Sequence, residues 1–366
     1  MKLNIVCIPG DGIGPEIVTE AKKVLKKIEA VYGHEMQFED ILMGGASIDV
    51  HGVPLTDEAI ATAKAADAVL MGSIGGNTQT SPWYKLEPSK RPEAGLLKIR
   101  KALNLFANLR PAVLYEELAA ACPLKQEISE KGFDMMIMRE LTGGLYFGER
   151  KTVEENGELK AIDTLTYSEG EIRRIAIKGF EIAMKRRKNV ISVDKANVLG
   201  SSRLWRKTVT EIGKEYPKVE LSHEYIDSAA LKLIRRPWEY DMILTANLFG
   251  DIISDEGTGL TGTAGLFGSA ELSVSGKGLY TPNQLHYPDE SVIGKQKVSP
   301  VGMIMAAALM LRCSFGLEKE AKTVENAIEK VLEAKISTED MKYPGAKIVL
   351  TGEMADFCCQ FLGKDV

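Results

Sequence analysis

Short apolar runs of strand length alternate along this chain with longer stretches of helical periodicity, and that alternation confines it to an α/β fold on a largely parallel sheet. The runs are Leu3 to Ile8, followed by a helical pattern from Glu16 to Val31; Ala68 to Met71; Met135 to Met138; Val190 to Val193, followed by Arg203 to Glu215; and Met242 to Thr245. At 366 residues the chain has room for two domains. A net charge of −5 leaves no basic excess for nucleic acid or anionic lipid, so neither is expected as a partner. The most apolar stretch, Val301 to Leu311, falls short of the ~20 residues that span a bilayer. The opening Met1-Lys-Leu-Asn-Ile-Val leads into a strand rather than a signal peptide, so a cytoplasmic location is expected. The five cysteines include no C-x-x-C and read as packed or free thiols.

The residues just past each apolar run point to chemistry. Ligands of open α/β sheets bind beyond the carboxyl ends of the strands. There the chain places Gly10-Asp-Gly-Ile-Gly-Pro15, Gly72-Ser-Ile-Gly-Gly76, Arg139-Glu140, Asp194-Lys195 and Asn247-Leu-Phe-Gly-Asp251-Ile-Ile-Ser-Asp255. One crevice between two sheet regions is expected to collect them. Asp251 and Asp255 stand four apart at a helix start and share a face, and paired carboxylates of this kind suit Mg²⁺ or Mn²⁺. Alternatively, Asp251 is an N-cap and Asp255 a first-turn acid. The glycine loop lacks the spacing of the dinucleotide and P-loop fingerprints. Its glycines either approach an anion or only permit a tight turn before Pro15.

Pro92 to Arg100 reads as a helix start with Glu93, Leu96, Leu97 and Arg100 on one face. Taken alone this is an interface stripe with a snorkelling arginine; with Arg110 and Arg139 it suggests a three-arginine carboxylate clamp beside an apolar notch. Lys195, expected near a metal and arginines, suits a base, and Tyr146 a proton donor. Asp227 is a third candidate metal ligand. Each has a plain counterpart: surface lysine, packed tyrosine, capping aspartate. Two alternating segments between Leu145 and Tyr167, around Asn156-Gly157, read as a hairpin arm and predict a dimer. The longest irregular piece is 281–300.

In the strings GDGIGPE at 10–16, RPEAGLLKIRKALNLFANLRP at 91–111, RELTGGLYFGE at 139–149, VDKANVL at 193–199, WRKTV at 205–209 and NLFGDIISDE at 247–256, the chain resembles the β-decarboxylating isocitrate/isopropylmalate dehydrogenase family over nearly its whole length. The resemblance implies two α/β domains around a central cleft, without Rossmann topology: a cofactor-side domain of 1–105 and 262–366, and a dimerisation domain of 106–261 with an arm at about 145–167. It implies oxidative decarboxylation of 3-isopropylmalate to 4-methyl-2-oxopentanoate with NAD, in leucine biosynthesis. Arg100, Arg110 and Arg139 would bind the malate carboxylates; Asp227, Asp251 and Asp255 would hold Mg²⁺ or Mn²⁺; Lys195 and Tyr146 would be catalytic. Glu93, Leu96, Leu97 and Val198 would line the isopropyl pocket, and Asp227 and Lys195 would reach into a second subunit's cleft, so that a homodimer shares its sites. Two leucines leave an extra carboxylate unsolvated, which disfavours isocitrate. A sister activity on D-malate, tartrate or homoisocitrate, or a non-catalytic paralogue with an impaired NAD site, remain the alternatives.

NAD contacts are implied for Ile13, Gly75, Gly76, Glu93, Asn197, Gln284, His286, Asp289 and Ser299. Several of these fall where the family pattern is broken. Thr281, Gln284 and Ser299 replace the usual Glu, His and Asn, two residues are inserted between Asp289 and Gly294, and the stretch from Gly75 to Trp83 is longer than usual. Asp289 or Glu290 would accept from a ribose 2′-hydroxyl and repel a 2′-phosphate, and His286 would stand in for the missing imidazole.

Overall fold

The computed structural model describes residues 1–283, 285–286 and 289–362. The chain divides into two compact units, Met1–Leu105 with Gly262–Val366, and Phe106–Thr261.

In the first unit the strands run in the order Glu35–Asp40, Lys2–Gly10, Ala68–Ser73, Gly278–Pro282, Gly268–Leu272. All pairings are parallel except the last. Ala68–Ser73 is buried at every position, as a central parallel strand covered on both faces must be. The helix Gly14–Tyr32 starts with Pro15 in its first turn and stops at Gly33, whose left-handed φ of 70° lets its N–H reach the Glu29 carbonyl. Val301–Cys313 is buried all round from Val301 to Leu311, which explains its unbroken apolar sequence. The pair Gly268–Leu272 and Gly278–Pro282 is not foreshadowed by an apolar run, and the second strand takes Thr281 and Pro282 out of the expected irregular stretch.

In the second unit the order is Ala107–Val113, Asp134–Glu140, Met242–Thr245, Asn189–Asp194, Glu220–Tyr225. Only the first pair is antiparallel. Neither unit follows the strand order of the dinucleotide-binding doubly wound fold. Helices Glu169–Ala183, Gly200–Gly213, Ile226–Arg235 and Asn247–Gly259 complete this unit, the first opened by a capping box of Ser168 and Glu171. The hairpin pairs Arg150–Glu155 with Glu158–Asp163 as a separate two-stranded sheet. Its turn residues Asn156 and Gly157 both have positive φ, 55° and 80°, which a two-residue hairpin loop of the primed type requires. No helix among the described residues is long and apolar enough to cross a membrane.

Candidate active site

Asn108 and Arg139 face each other across the antiparallel pair of the second unit, and Arg110, two residues beyond Asn108, shares their side of the sheet. Against this side packs the helix Asn247–Gly259. It comes close because residue 250 is glycine: a Cβ there would lie 2.6 Å from the Arg139 Cβ. The Asn247 side chain fixes the strand-to-helix geometry from both sides. Its oxygen accepts from Arg139 Nε (3.0 Å) and Nη2 (2.8 Å), and its amide donates to the Gly143 carbonyl at 3.0 Å. Its backbone N–H donates to the Tyr167 hydroxyl at 2.8 Å.

One turn on, Asp251 accepts from Arg139 Nη1 through Oδ1 and from the Tyr146 hydroxyl through Oδ2, the latter at 2.7 Å. Asp255 accepts from Arg110 Nη1 at 2.8 Å, and Arg110 Nη2 lies 3.9 Å from Asp251. The two aspartates therefore share one face and one guanidinium, as their spacing predicts. Asp251 is not the N-cap, which is Ala246. Tyr146 is placed by Glu140, which is fully buried and accepts the backbone N–H groups of Thr142 and Gly143 at 2.8–3.0 Å. Burial, and then the Asp251 carboxylate, raise the Tyr146 phenol above its ordinary range, so it holds its proton.

Lys195 follows the strand Asn189–Asp194, and its Nζ pairs with Asp227 in the first turn of Ile226–Arg235. That ion pair pulls the exposed Asp227 carboxyl below its usual range. Within one chain the lysine's partner is a carboxylate. Asp194 is buried and binds Arg206 Nε and Nη2 at 2.9 and 2.8 Å, which holds the loop that carries Lys195. Asn197 and Val198 of that loop are exposed. Among the described residues no three His, Cys, Asp or Glu side chains gather as a metal-binding group, so Asp227 does not join Asp251 and Asp255 within one chain. These two carboxylates still fit a hard divalent cation as part of an oxygen ligand set, since both are accessible and only accept.

The first unit holds the remaining predicted residues. Arg100 belongs to it and grips Glu271, 2% exposed, through Nε at 2.8 Å and through Nη2. A buried carboxylate needs a partner, and this guanidinium supplies it. Of the two leucines, Leu96 (5% exposed) belongs to the hydrophobic core and Leu97 (48%) faces outward. A cavity of about 530 Å³ is lined by Gly76, Asn77, Thr78, Gln79, Tyr84, Glu93 and His286. Among the residues assigned to NAD, it thus gathers Gly76, Glu93 and His286, with Gly75 beside them: a Cβ on Gly75 would lie 3.2 Å from Glu93 Oε1 and 3.6 Å from His286 Nδ1. Its lining of carboxylate, amides, hydroxyls and imidazole fits the sugar of a dinucleotide.

Other cofactor candidates have structural duties. The glycine loop is packed for its own sake: a Cβ on Gly10 would meet the Ser73 carbonyl at 2.0 Å, and one on Gly14 the Pro9 carbonyl at 2.1 Å. Ile13 is buried. Asp289 accepts from Ser291 N at 2.9 Å; the Ser291 side chain, and then this N–H, hold its carboxyl below the usual range, and Glu290 accepts from Thr80 at 2.9 Å. Ser299 is buried and accepts the Val301 N–H at the start of the apolar helix. Gln284 lies outside the described residues. Sequence reasoning gave no role to Tyr167, Arg206, Glu271 or Tyr84; it placed Glu140 and Asp194 among the strand-end polar groups, where a local signal marks them, but did not foresee their duties.

A chain of two α/β units, with a guanidinium, phenol and carboxylate network at strand ends of the second, is equipped to hold a carboxylate ligand. The family model described as isocitrate/isopropylmalate dehydrogenase matches residues 4–358, and the chain belongs to that family. The 3-isopropylmalate dehydrogenase of Pseudomonas syringae pv. syringae is 50% identical over 358 residues, 97% of this chain and 98% of its own length. That of Oleidesulfovibrio alaskensis is 50% identical over 351 residues, covering 95% and 96%. Among solved structures, isocitrate dehydrogenase from Methylococcus capsulatus superposes with a TM-score of 0.83 at 28% identity over 98% of this chain and 99% of that one. A β-decarboxylating dehydrogenase from Thermococcus kodakarensis gives 0.78 at 30% identity, covering 98% and 96%.

Proposed function

We propose that this chain is an NAD-dependent 3-isopropylmalate dehydrogenase that oxidises and decarboxylates its substrate to 4-methyl-2-oxopentanoate, a step toward leucine, in the cytoplasm. The observation that carries the reading is the Asp251 node. One carboxylate holds a phenol that keeps its proton and a guanidinium suited to a carboxylate, and shares a second guanidinium with Asp255. Identity of 50% with isopropylmalate relatives over nearly their full length supports the choice of substrate.

When bound, a divalent cation held by Asp251, Asp255 and an Asp227 from a second copy would supply Lewis acidity to the C2 oxygen, and NAD would accept the hydride. Arg110 and Arg139 grip the malate carboxylates. The neutral form of Lys195 Nζ would take up the proton released from the C2 hydroxyl, giving the ammonium that pairs with the Asp227 carboxylate in this structure. As CO₂ leaves, Tyr146 Oη delivers a proton to C3. Leu97, exposed, offers apolar contact to the isopropyl group. A homodimer would complete the ligand set. Leu159, Leu231, Ile234 and Ile252, all exposed on the second unit, supply an apolar surface for a second copy to cover.

The test follows absorbance of reduced nicotinamide with Mg²⁺ or Mn²⁺, NAD or NADP, and a panel of 3-substituted malates. NAD with 3-isopropylmalate is expected to give the highest kcat/KM. A higher value for isocitrate, or turnover that survives thorough chelation, would sink the assignment.

A further inference from the structure

The 75–85 segment is anchored on both sides of Tyr84. Trp83 donates from its indole to Asp49 at 2.8 Å and fills the space where a Cβ on Gly45 would stand. Asp11 accepts the Gly75 N–H at 2.7 Å. Arg91 lies 6.0 Å from the Tyr84 ring and donates from Nε to the Leu86 carbonyl at 2.9 Å. So held, Tyr84 donates its hydroxyl to Glu93 Oε1. Residue 75 is glycine for this contact: its φ is 79°, and a Cβ would lie 2.7 Å from the Tyr84 oxygen. Burial, and then Glu93, push the phenol up to about 12, so it remains a donor throughout the neutral range. His286 Nδ1 lies 2.9 Å from the Ile74 carbonyl, which can only accept, so the ring hydrogen sits there and Nε2 of the neutral ring is an acceptor.

We propose that Tyr84 is a positioning residue for the dinucleotide: it occupies one oxygen of Glu93 and leaves the other as a fixed acceptor for ribose hydroxyls in the 530 Å³ cavity. This rests on the NAD reading above. No lysine or arginine lines the cavity among the described residues, and Asn77, Thr78 and Gln79 are neutral, so it selects hydroxyl donors over phosphate. A carboxylate free to rotate would have to be ordered on each binding event; one already held does not.

The test compares wild type, Tyr84→Phe, Glu93→Gln and the double variant, with NAD as the probe in calorimetry and steady-state kinetics. Tyr84→Phe is expected to raise Kd and KM for NAD about 10-fold, the effect of one hydrogen bond to a charged group, with a much smaller fall in kcat. The double variant should bind no more weakly than Glu93→Gln alone, because the two residues act through one contact. Unchanged affinity in Tyr84→Phe, or losses that add in the double variant, would overturn the proposal. If Tyr84→Phe unfolds, Glu93→Gln must still weaken NAD or the idea fails. A wild-type chain that turns over without binding NAD through this cavity, shown by unchanged kinetics in Glu93→Gln, overturns it too. A wild-type chain that binds no NAD at all defeats the functional reading as well.

Discussion

The Tyr146 hydroxyl donates to Asp251, and its ring lies 5.6 Å from the Arg139 guanidinium. Removing the hydroxyl takes away a proton donor while leaving the ring over the arginine. Tyr146→Phe should therefore lower kcat about 100-fold, a usual contribution of one positioned acid, with little change in KM for the diacid. Stopped-flow measurements separate the steps: hydride transfer, read as reduced nicotinamide, should stay fast, while formation of the final 2-oxo acid should lag. Loss of hydride transfer instead would mean that the phenol serves Asp251 rather than the substrate. Such residues were legible because their spacing is local: Asp251 and Asp255 through the helix period, Tyr146 through its place just past a strand end. Their partners were not, since Arg100 meets Glu271 171 residues away and Tyr167 meets Asn247 80 residues away. No periodicity carries information across such separations.

At the scale of elements, buried carboxylates fasten loops to strands. Asp11, 4% exposed, accepts three backbone N–H groups, from Gly45, Ala46 and Gly75, at 2.7–2.8 Å. Burial outweighs those donors and raises its carboxyl above the usual range. A raised acid stabilises the fold most fully below its unfolded value near 3.9, and that contribution is lost as pH climbs through the native value. At neutral pH, then, the neutral amide of Asp11→Asn should cost less than Asp11→Ala, which strands three donors and is expected to lose about 3 kcal/mol or more. Urea unfolding at pH 7 measures both; equal losses would show that hydrogen bonding plays no part. The alternating runs and the hairpin turn were readable because each depends on local backbone chemistry. The strands Gly268–Leu272 and Gly278–Pro282 were not, because their pairing is set by the sheet they join and Ser269, Glu271 and Thr281 are buried within it.

For the whole molecule, the absence of a three-carboxylate group within one chain, among the described residues, makes a stoichiometric prediction. If Asp227 and Lys195 act in a partner's site, Lys195→Met and Asp251→Asn protomers, each inactive alone, should regain activity after being unfolded together and refolded. About half of the random dimers are mixed and each carries one intact site of two, so recovery should reach about a quarter of wild type. No recovery, with mixed dimers verified by mass spectrometry, would place all the machinery on one chain.

The segregation of residues between the units has a further consequence. Tyr146, Lys195, Asp227, Asp251 and Asp255 all belong to Phe106–Thr261, whereas the two stretches that break the family pattern, 75–83 and 281–300, belong to the other unit. On the proposed function, the groups that would make and break bonds are thus carried by a different unit from the stretches that would contact the coenzyme. On the proposed reading, a lineage could retune which electron carrier it draws on by editing these two stretches, and an engineer could graft them from a relative, without touching the residues of the other unit.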